Sequence, residues 1–323
     1  MSTIEKATVS AGETLPLTPR RRRFKTPNWG LWTLALPGLL FLVMFYFVPY
    51  FGLTIPFRDI NYTDGVFNSP WADPWYKNFE FFFKSSAAWQ ITRNTIQHNL
   101  VFIVLGTVVP VTLALLLFEL KATSVKIFQT CLFIPYFVSW IVASYIVNAL
   151  LNSELGLLNN LLNSLGISHP MYFNDPKSWY IILPICHLWK GMGYSTLLYY
   201  AILMGMDSAY FEAAAIDGAN NWQRTRYISI PFLSNTIIML TILSIGKIFY
   251  SDCALFYFVP GVNSGMLYNV TQTIDTYVLR ALKTTSNMAM TASVCLYQSV
   301  VGFILVLGTN LIVKKINKDY ALF

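Results

Sequence analysis

The sequence predicts an all-α integral membrane protein with six transmembrane helices. Three observations lead there. The 323 residues are 55% hydrophobic and only 11% charged, where a soluble domain carries roughly a quarter charged residues. Mean hydropathy is +0.51. The apolar residues gather into six runs, each near the ~20 helical residues that cross a hydrocarbon core about 30 Å thick.

The first run, Leu31–Leu53, has Trp29 and Trp32 at its edge. It follows a basic segment, yet it is too long for a signal-peptide core and no A-x-A cleavage site follows, so it reads as a retained span. The second run, Asn94–Phe118, contains Pro110, and the third, Phe128–Leu151, has Pro135 near its start. The remaining runs are Trp179–Met206, Pro231–Val259 and Met290–Val313. The domain plan is then a basic tail (1–30), a six-helix domain (31–313) and a short C-terminal tail (314–323).

The net charge of +7 raises the question of nucleic acid, but its placement excludes that partner. "RRRRFK" at 20–25 precedes the first run and "KKINK" at 314–318 follows the last. Basic clusters flanking spans mark cytoplasmic ends. The two tails and the 119–127 and 207–230 loops hold thirteen Lys and Arg, against seven in the 54–93, 152–178 and 260–289 loops. Both termini and the 207–230 loop are therefore predicted to be cytoplasmic. Of the outer loops, the first is rich in Phe and Trp and predicts small helices on the membrane surface. The second predicts a short amphipathic helix at Leu155–Leu165. Cys131, Cys186, Cys253 and Cys295 lie apart in apolar stretches, which predicts small buried hydrophobes rather than disulfides or a zinc site.

One stretch does not fit a plain loop: "EAAAIDGANNWQRTRYISIP", residues 212–231. Its Ala-rich start predicts a short helix over Ser208–Ile216. Gly218 can take the left-handed conformation that stops it. A second short helix is predicted from about Asn220 to Tyr227. Pro231 is predicted to break the chain and open the fifth span. Glu212 and Asp217 offer charge to a partner, and Ala213 and Ala214 let another backbone come close.

The spacing resembles the EAA loop of binding-protein-dependent (type I) ABC importer permeases: E-A-A, three residues, Gly, nine residues, then I-x-L-P. Glu212, Ala213, Ala214, Gly218, Ile228 and Pro231 match, and Ile230 stands where Leu is usual. Beyond the loop, "NFEFFFKSSAAWQITRNTI" at 78–96 looks like the entry segment of sugar-importer permeases. "IDTYVLRAL" at 274–282 and "TASVCLYQSVVGFILVLGTNLIVKKI" at 291–316 look like the branch that handles oligosaccharides and polysaccharide fragments. The resemblance covers nearly all of the chain after the N-terminal tail.

It implies a membrane subunit in the bacterial cytoplasmic (inner) membrane that forms half of a path for a carbohydrate. The 207–231 elbow would be a coupling helix seated on a cytoplasmic ATP-binding subunit. It implies a second six-helix permease chain, related rather than identical, and an extracytoplasmic solute-binding protein. ATP and Mg would be used by the ATPase partner, with no cofactor bound by this chain.

No G-x-x-x-x-G-K-[ST] loop is present, since Ile248 follows Gly246 and Lys247 where Ser or Thr would be needed. No H-E-x-x-H or nucleophile elbow occurs, so neither catalytic nor metal residues are expected. Ionisable residues within spans point to function. Lys190, with His187, Trp189 and Tyr194 nearby, is the leading candidate for a substrate path, because aromatic faces and polar groups suit sugar rings. Lys247 and Asp252 read either as a structural pair at the outer boundary or as further cavity residues. Two membrane lysines would also suit an acidic sugar. The competing class is a secondary transporter or channel without ATP, which predicts internal repeats or broken helices in corresponding positions and gives no reason for the EAA spacing.

Overall fold

The computed structural model describes residues 29–63, 65–85, 87–152, 154–167, 171–262, 264–285 and 287–316. The basic cluster at 20–25 and the residues after Ile316 lie outside the described residues. All regular elements among the described residues are helical. The chain divides after Gly52 into two compact units.

The first unit carries α1, Trp29–Leu42, which runs on through a π-type turn at Val43–Phe47 into a 3-10 stretch, Val48–Phe57. No residue of α1 is buried within this chain. A helix apolar on all sides is suited to lipid or to another chain.

The second unit opens with the end of that 3-10 stretch, a loop and α2, Lys77–Lys84. Asn78 fastens that loop: its amide donates to the carbonyls of Pro56 (2.9 Å) and Arg58 (2.8 Å). The long helix α3, Ala87–Phe118, follows. Next come α4, Ala122–Phe133, a 3-10 turn at Ile134–Phe137, and α5, Trp140–Leu151. The two halves of this third run meet at 101°. Pro135 sits in the break, where it supplies no N–H, and Ser139 caps the restart by accepting from Val142 N at 3.3 Å. After α6 (Leu157–Ser164), α7 spans Trp179–Leu203 and lies along α3. Then come α8 (Ser208–Ile216), α9 (Asn221–Arg224) and α10 (Ile230–Gly246). The chain ends with α11 (Cys253–Phe258), α12 (Tyr268–Thr271), α13 (Ile274–Thr285) and α14 (Met288–Ile316).

Of the six runs expected, four helical stretches are long and apolar enough to cross a bilayer: Trp29–Phe57, Ala88–Phe118, Asn221–Gly246 and Met288–Lys315. The bent pair over Ala122–Leu151 makes a fifth. The fourth expected run is present as the 25-residue α7. Its apolar character is diluted by His187, Lys190, Ser195 and Thr196. The fifth run was expected to reach Val259 but stops at Gly246. A turn over Lys247–Asp252 follows, and its carbonyls accept side-chain amides in place of helical N–H groups.

Helices in lipid gain little from hydrophobic burial against one another and associate by close packing and shared hydrogen bonds. Gly193 of α7 shows the first device: a Cβ there would collide with the Leu132 carbonyl of α4. The motif residues in the N-terminal part of α3 show the second. Asn94 donates to the carbonyls of Asn269 (2.9 Å) and Gln272 (3.2 Å). Thr95 Oγ1 accepts from Ile274 N at 2.9 Å. His98, buried, bonds the Val270 carbonyl at 3.0 Å. The α12–α13 segment is thus sewn to α3. Trp179, Leu183, Leu255, Phe256 and Leu267, all fully buried, fill the space behind it.

Candidate functional site

Two places in the second unit combine an unusual backbone with exposed functional groups. The first is the elbow of α8 and α9. Asp207 caps α8 by accepting from Ala209 N at 3.0 Å, and Ser208 Oγ donates to the Glu212 carboxylate at 3.2 Å. The helix stops in a Schellman arrangement: Ala219 N donates to Ala214 O (2.9 Å) and Gly218 N to Ala215 O (3.1 Å). That closure needs a left-handed residue, and Gly218 provides it at φ +76°. Two residues on, Asn220 and Gln223 form a reciprocal capping box (2.8 and 2.9 Å) that starts α9. Phe211 packs against Phe118, ring centroids 5.5 Å apart and tilted by 46°, and anchors the elbow to the end of α3. The surface so formed carries Glu212, Ala213 and Asp217 exposed, together with Ile216 (88% exposed), Trp222 and Tyr227 (75%).

Pro231 does not break the chain as expected. A π-type turn over Thr225–Ser229 joins α9 to α10, with Ile230 N donating to Thr225 O. The wider turn makes room for the proline ring, which would otherwise meet the carbonyl four residues back. The helix therefore runs unbroken from Asn221 to Gly246.

The second place is a cavity of about 500 Å³ between α3, α7 and α10. His187, Tyr194, Lys247 and Asp252 line it, four of the six residues expected on a substrate path. Phe102 stacks flat on His187 at 4.0 Å, and Tyr194 stacks on Tyr136 at 5.2 Å. Lys190 and Trp189 are not among the lining residues. The Lys190 ammonium instead donates to the carbonyls of Tyr136 (2.9 Å) and Val138, at the break between α4 and α5. It also lies over the Trp140 ring at 5.5 Å. A broken helix leaves carbonyls without helical donors, and Lys190 supplies the replacement.

Lys247 and Asp252 are not paired: among the described residues, no ion pair joins them. Asp252 accepts from Trp140 Nε1 at 2.6 Å and caps α11 through Ala254 N (3.2 Å) and Leu255 N (3.3 Å). The turn between them is built by distant residues. Asn99 donates to the carbonyls of Ile248 (2.7 Å) and Tyr250 (2.8 Å), and Gln298 to that of Phe249 (2.7 Å). Asp275 accepts from Ser251 N at 2.6 Å. Among the described residues no group of three or more His, Cys, Asp or Glu is placed to hold a metal ion.

Residues 103–318 match the family described as binding-protein-dependent transport system inner membrane component. The chain belongs to this family. Among relatives of this transport component, the protein LplB of Bacillus subtilis (strain 168) is 31% identical over 296 residues, covering 91% of each chain. A second Bacillus subtilis relative, the polygalacturonan/rhamnogalacturonan transport system permease protein YteP, is 29% identical over 291 residues. That alignment covers 90% of this chain and 89% of the relative. Among solved structures, the bacterial alginate ABC transporter, crystallised with an alginate pentasaccharide-bound periplasmic protein, contains a chain with a TM-score of 0.78 at 24% identity. The match covers 90% of this chain and 96% of that one, and it establishes the shared fold.

For a transport component of this kind, both places offer surfaces. The sequence pointed to the elbow in detail, because its closure is written in neighbouring residues. It did not point to Asn99, Phe102 or Tyr250 in the cavity, nor to Trp140 and Gln298 behind it. Each of these acts on a backbone or side chain far away in sequence. The one available signal was polarity inside apolar runs: Asn99 and Gln298 are amides in spans, where unsatisfied polar groups are costly.

Proposed function

We propose that this chain is the membrane-spanning subunit of an ATP-driven importer and forms half of the path for an oligosaccharide. In this reading it crosses the membrane six times, α7 included, with both termini in the cytoplasm. It carries no ATPase of its own. It works with a second six-helix chain, cytoplasmic ATP-binding subunits and an extracytoplasmic binding protein that delivers the sugar.

The observation that carries this reading is the elbow. Its glycine-closed turn and capping box hold Glu212, Ile216 and Trp222 out on a rigid polar–apolar surface, which suits a soluble partner rather than lipid. Family membership supplies the context. The cavity supports a sugar as cargo, since rings such as Tyr194 and Phe102 offer flat faces while Ser244 and Tyr250 offer hydroxyls. The printed names of the Bacillus relative and of the alginate transporter lend the same support.

Two measurements test it. Gly218→Val puts a β-branched side chain where φ is +76°, a local cost on the order of 1–2 kcal/mol. The variant is expected to insert normally, and to lose uptake along with ATP hydrolysis driven by loaded binding protein. Uptake and coupling at the parental rate would sink the coupling role. Orientation is read by labelling from outside: a cysteine at Asn68 should react and one at Asn221 should not, and the reverse pattern overturns the topology.

A further inference from the structure

We propose that α6 lies in the membrane–water interface, with one flank among the acyl chains and the other in water. The leaflet it enters, the outer one, rests on the six-span reading. The interfacial placement itself does not.

α6 has eight residues, and an isolated helix that short is marginal in water. The sequence nonetheless closes it at both ends. At its start, Asn152 Oδ1 accepts from Glu154 N (3.0 Å) and Leu155 N (3.2 Å). Asn159 Nδ2 donates to the Asn152 carbonyl at 2.8 Å. At its end, Gly166 takes φ +70°. Ile167 N donates to Leu162 O (2.9 Å) and Gly166 N to Asn163 O (3.1 Å). These bonds fix which way the side chains point.

With 3.6 residues per turn, three sides of the helix separate. Asn159, 1% exposed, and the half-buried Leu162 face the protein, where α6 packs on α5. Leu158, Leu161 (57% exposed) and Leu165 (63%) form one flank. Asn160 and Asn163, also exposed, form the opposite flank. A surface helix usually turns its apolar stripe to the core. α2 does so, with Phe82 buried against Tyr277 and Tyr297. α6 turns Asn159 inward and leaves its leucines to the side. A helix seated on a protein wall, apolar on one flank and polar on the other, fits a boundary that runs across that wall. The membrane surface is such a boundary.

Position and charge point to the same occupant. α5 is the second half of the bent pair that makes a membrane-crossing stretch, and α6 follows where that stretch ends. α5 itself carries Ile141, Tyr145 and Leu150 exposed, a surface suited to lipid. From 155 to 167 the sequence has no Asp, Glu, Lys or Arg. The segment thus lacks charges to steer a soluble protein and cations to hold anionic headgroups. Burial of the leucines among acyl chains is the driving force, and it does not depend on the charge of the lipid.

The test uses the complete importer in lipid nanodiscs. Leu161→Cys and Leu165→Cys on one flank, and Asn160→Cys and Asn163→Cys on the other, are each labelled with an environment-sensitive thiol dye. The signal of the parent chain, treated alike, is subtracted to remove its native cysteines. All four positions are exposed, so the substitutions leave the packing intact. One quencher is a lipid with a nitroxide near the top of its acyl chain, since interfacial helices bury their apolar face about 5–10 Å deep. It should quench the two leucine positions at least about threefold more than the two asparagine positions. Iodide in the water should give the opposite order. Both patterns should be the same in phosphatidylcholine with and without phosphatidylglycerol.

Three results overturn the proposal. Equal iodide quenching on both flanks puts the whole helix in water. Leucine positions shielded from both quenchers mean that a protein covers the flank, either the second permease chain or the binding protein. Lipid quenching that appears only with phosphatidylglycerol makes charge the cause. The topology fails separately: if the labels at Asn68 and Asn221 report the reverse orientation, α6 keeps its interface but in the cytoplasmic leaflet.

Discussion

The elbow and the cavity wall are both precise structures, but they are held together in opposite ways. Every hydrogen bond that shapes the elbow joins residues at most five apart: Asp207 to Ala209, Ser208 to Glu212, Ala214 to Ala219, Asn220 to Gln223. The wall is closed by long-range bonds: Lys190 to Tyr136, Trp140 to Asp252, Asn99 to Ile248, Gln298 to Phe249. A locally closed element takes its shape from neighbouring residues and presents a face to a partner. A wall closed across the sequence exists only when the whole bundle is assembled. Damage at the elbow should therefore change function and spare the fold, while damage behind the wall should do the reverse.

Gly193→Val puts the sharpest strain on this contrast. The added side chain meets backbone, the Leu132 carbonyl, so α7 and α4 must separate. Overpacking typically costs 1–3 kcal/mol and occasionally more. The expected outcome is loss of monodisperse protein on size exclusion in detergent. A normal yield would show that this crossing is slack.

Lys190→Met comes next. It leaves the Tyr136 and Val138 carbonyls without their donor at the break, about 1–3 kcal/mol for each group left unsatisfied. The melting temperature of the purified complex should fall, and uptake should fall with it, while Lys190→Arg retains part of both. Lost uptake with an unchanged melt would return Lys190 to the substrate path.

On the elbow, Asn220→Ala removes one half of the capping box, about 1 kcal/mol. The melt should stay within a degree or two, while ATPase association weakens. A large drop in melting temperature would break the contrast at its local end.

The smallest effect belongs to Asp175, a local cap that leads into a wall helix. Bonds from Ser178, chiefly from its hydroxyl, hold its carboxyl below the ordinary value of 3.8. With the folded value depressed, its contribution is present above the ordinary carboxyl range and is lost as the pH falls through the folded value. The difference in melting temperature between wild type and Asp175→Asn should therefore shrink between about pH 6 and pH 3.

The same contrast decides what could be read from the sequence. The bounds of α8, Ser208–Ile216, and the left-handed Gly218 follow from local propensity and spacing, and the structure has both. The all-helical class follows from composition. The stop of the fifth run at Gly246 does not, because Asn99 and Gln298 enforce it from 145 or more positions before and about 50 after. The 101° break was signalled only by Pro135, and a proline alone does not say whether a helix bends or ends. Lys190 was expected on the substrate path, but its ammonium is engaged by carbonyls more than 50 positions away. Pro231 stands in the first turn of α10, as expected for the start of the fifth span, but the break was misjudged because the π-type turn that accommodates it leaves no mark in residue type.

That turn has a mechanical consequence. Because α9 and α10 form one unbroken helix from Asn221 to Gly246, the elbow and the residue next to Lys247 are the two ends of a single lever. At 1.5 Å per residue its 26 residues measure about 39 Å. A swing of about 10° pivoted at one end would carry the other through about 7 Å. The π-type turn at Thr225–Ser229 and Pro231 lie near the elbow end, so the 17-residue α10 forms the stiffer arm of that lever.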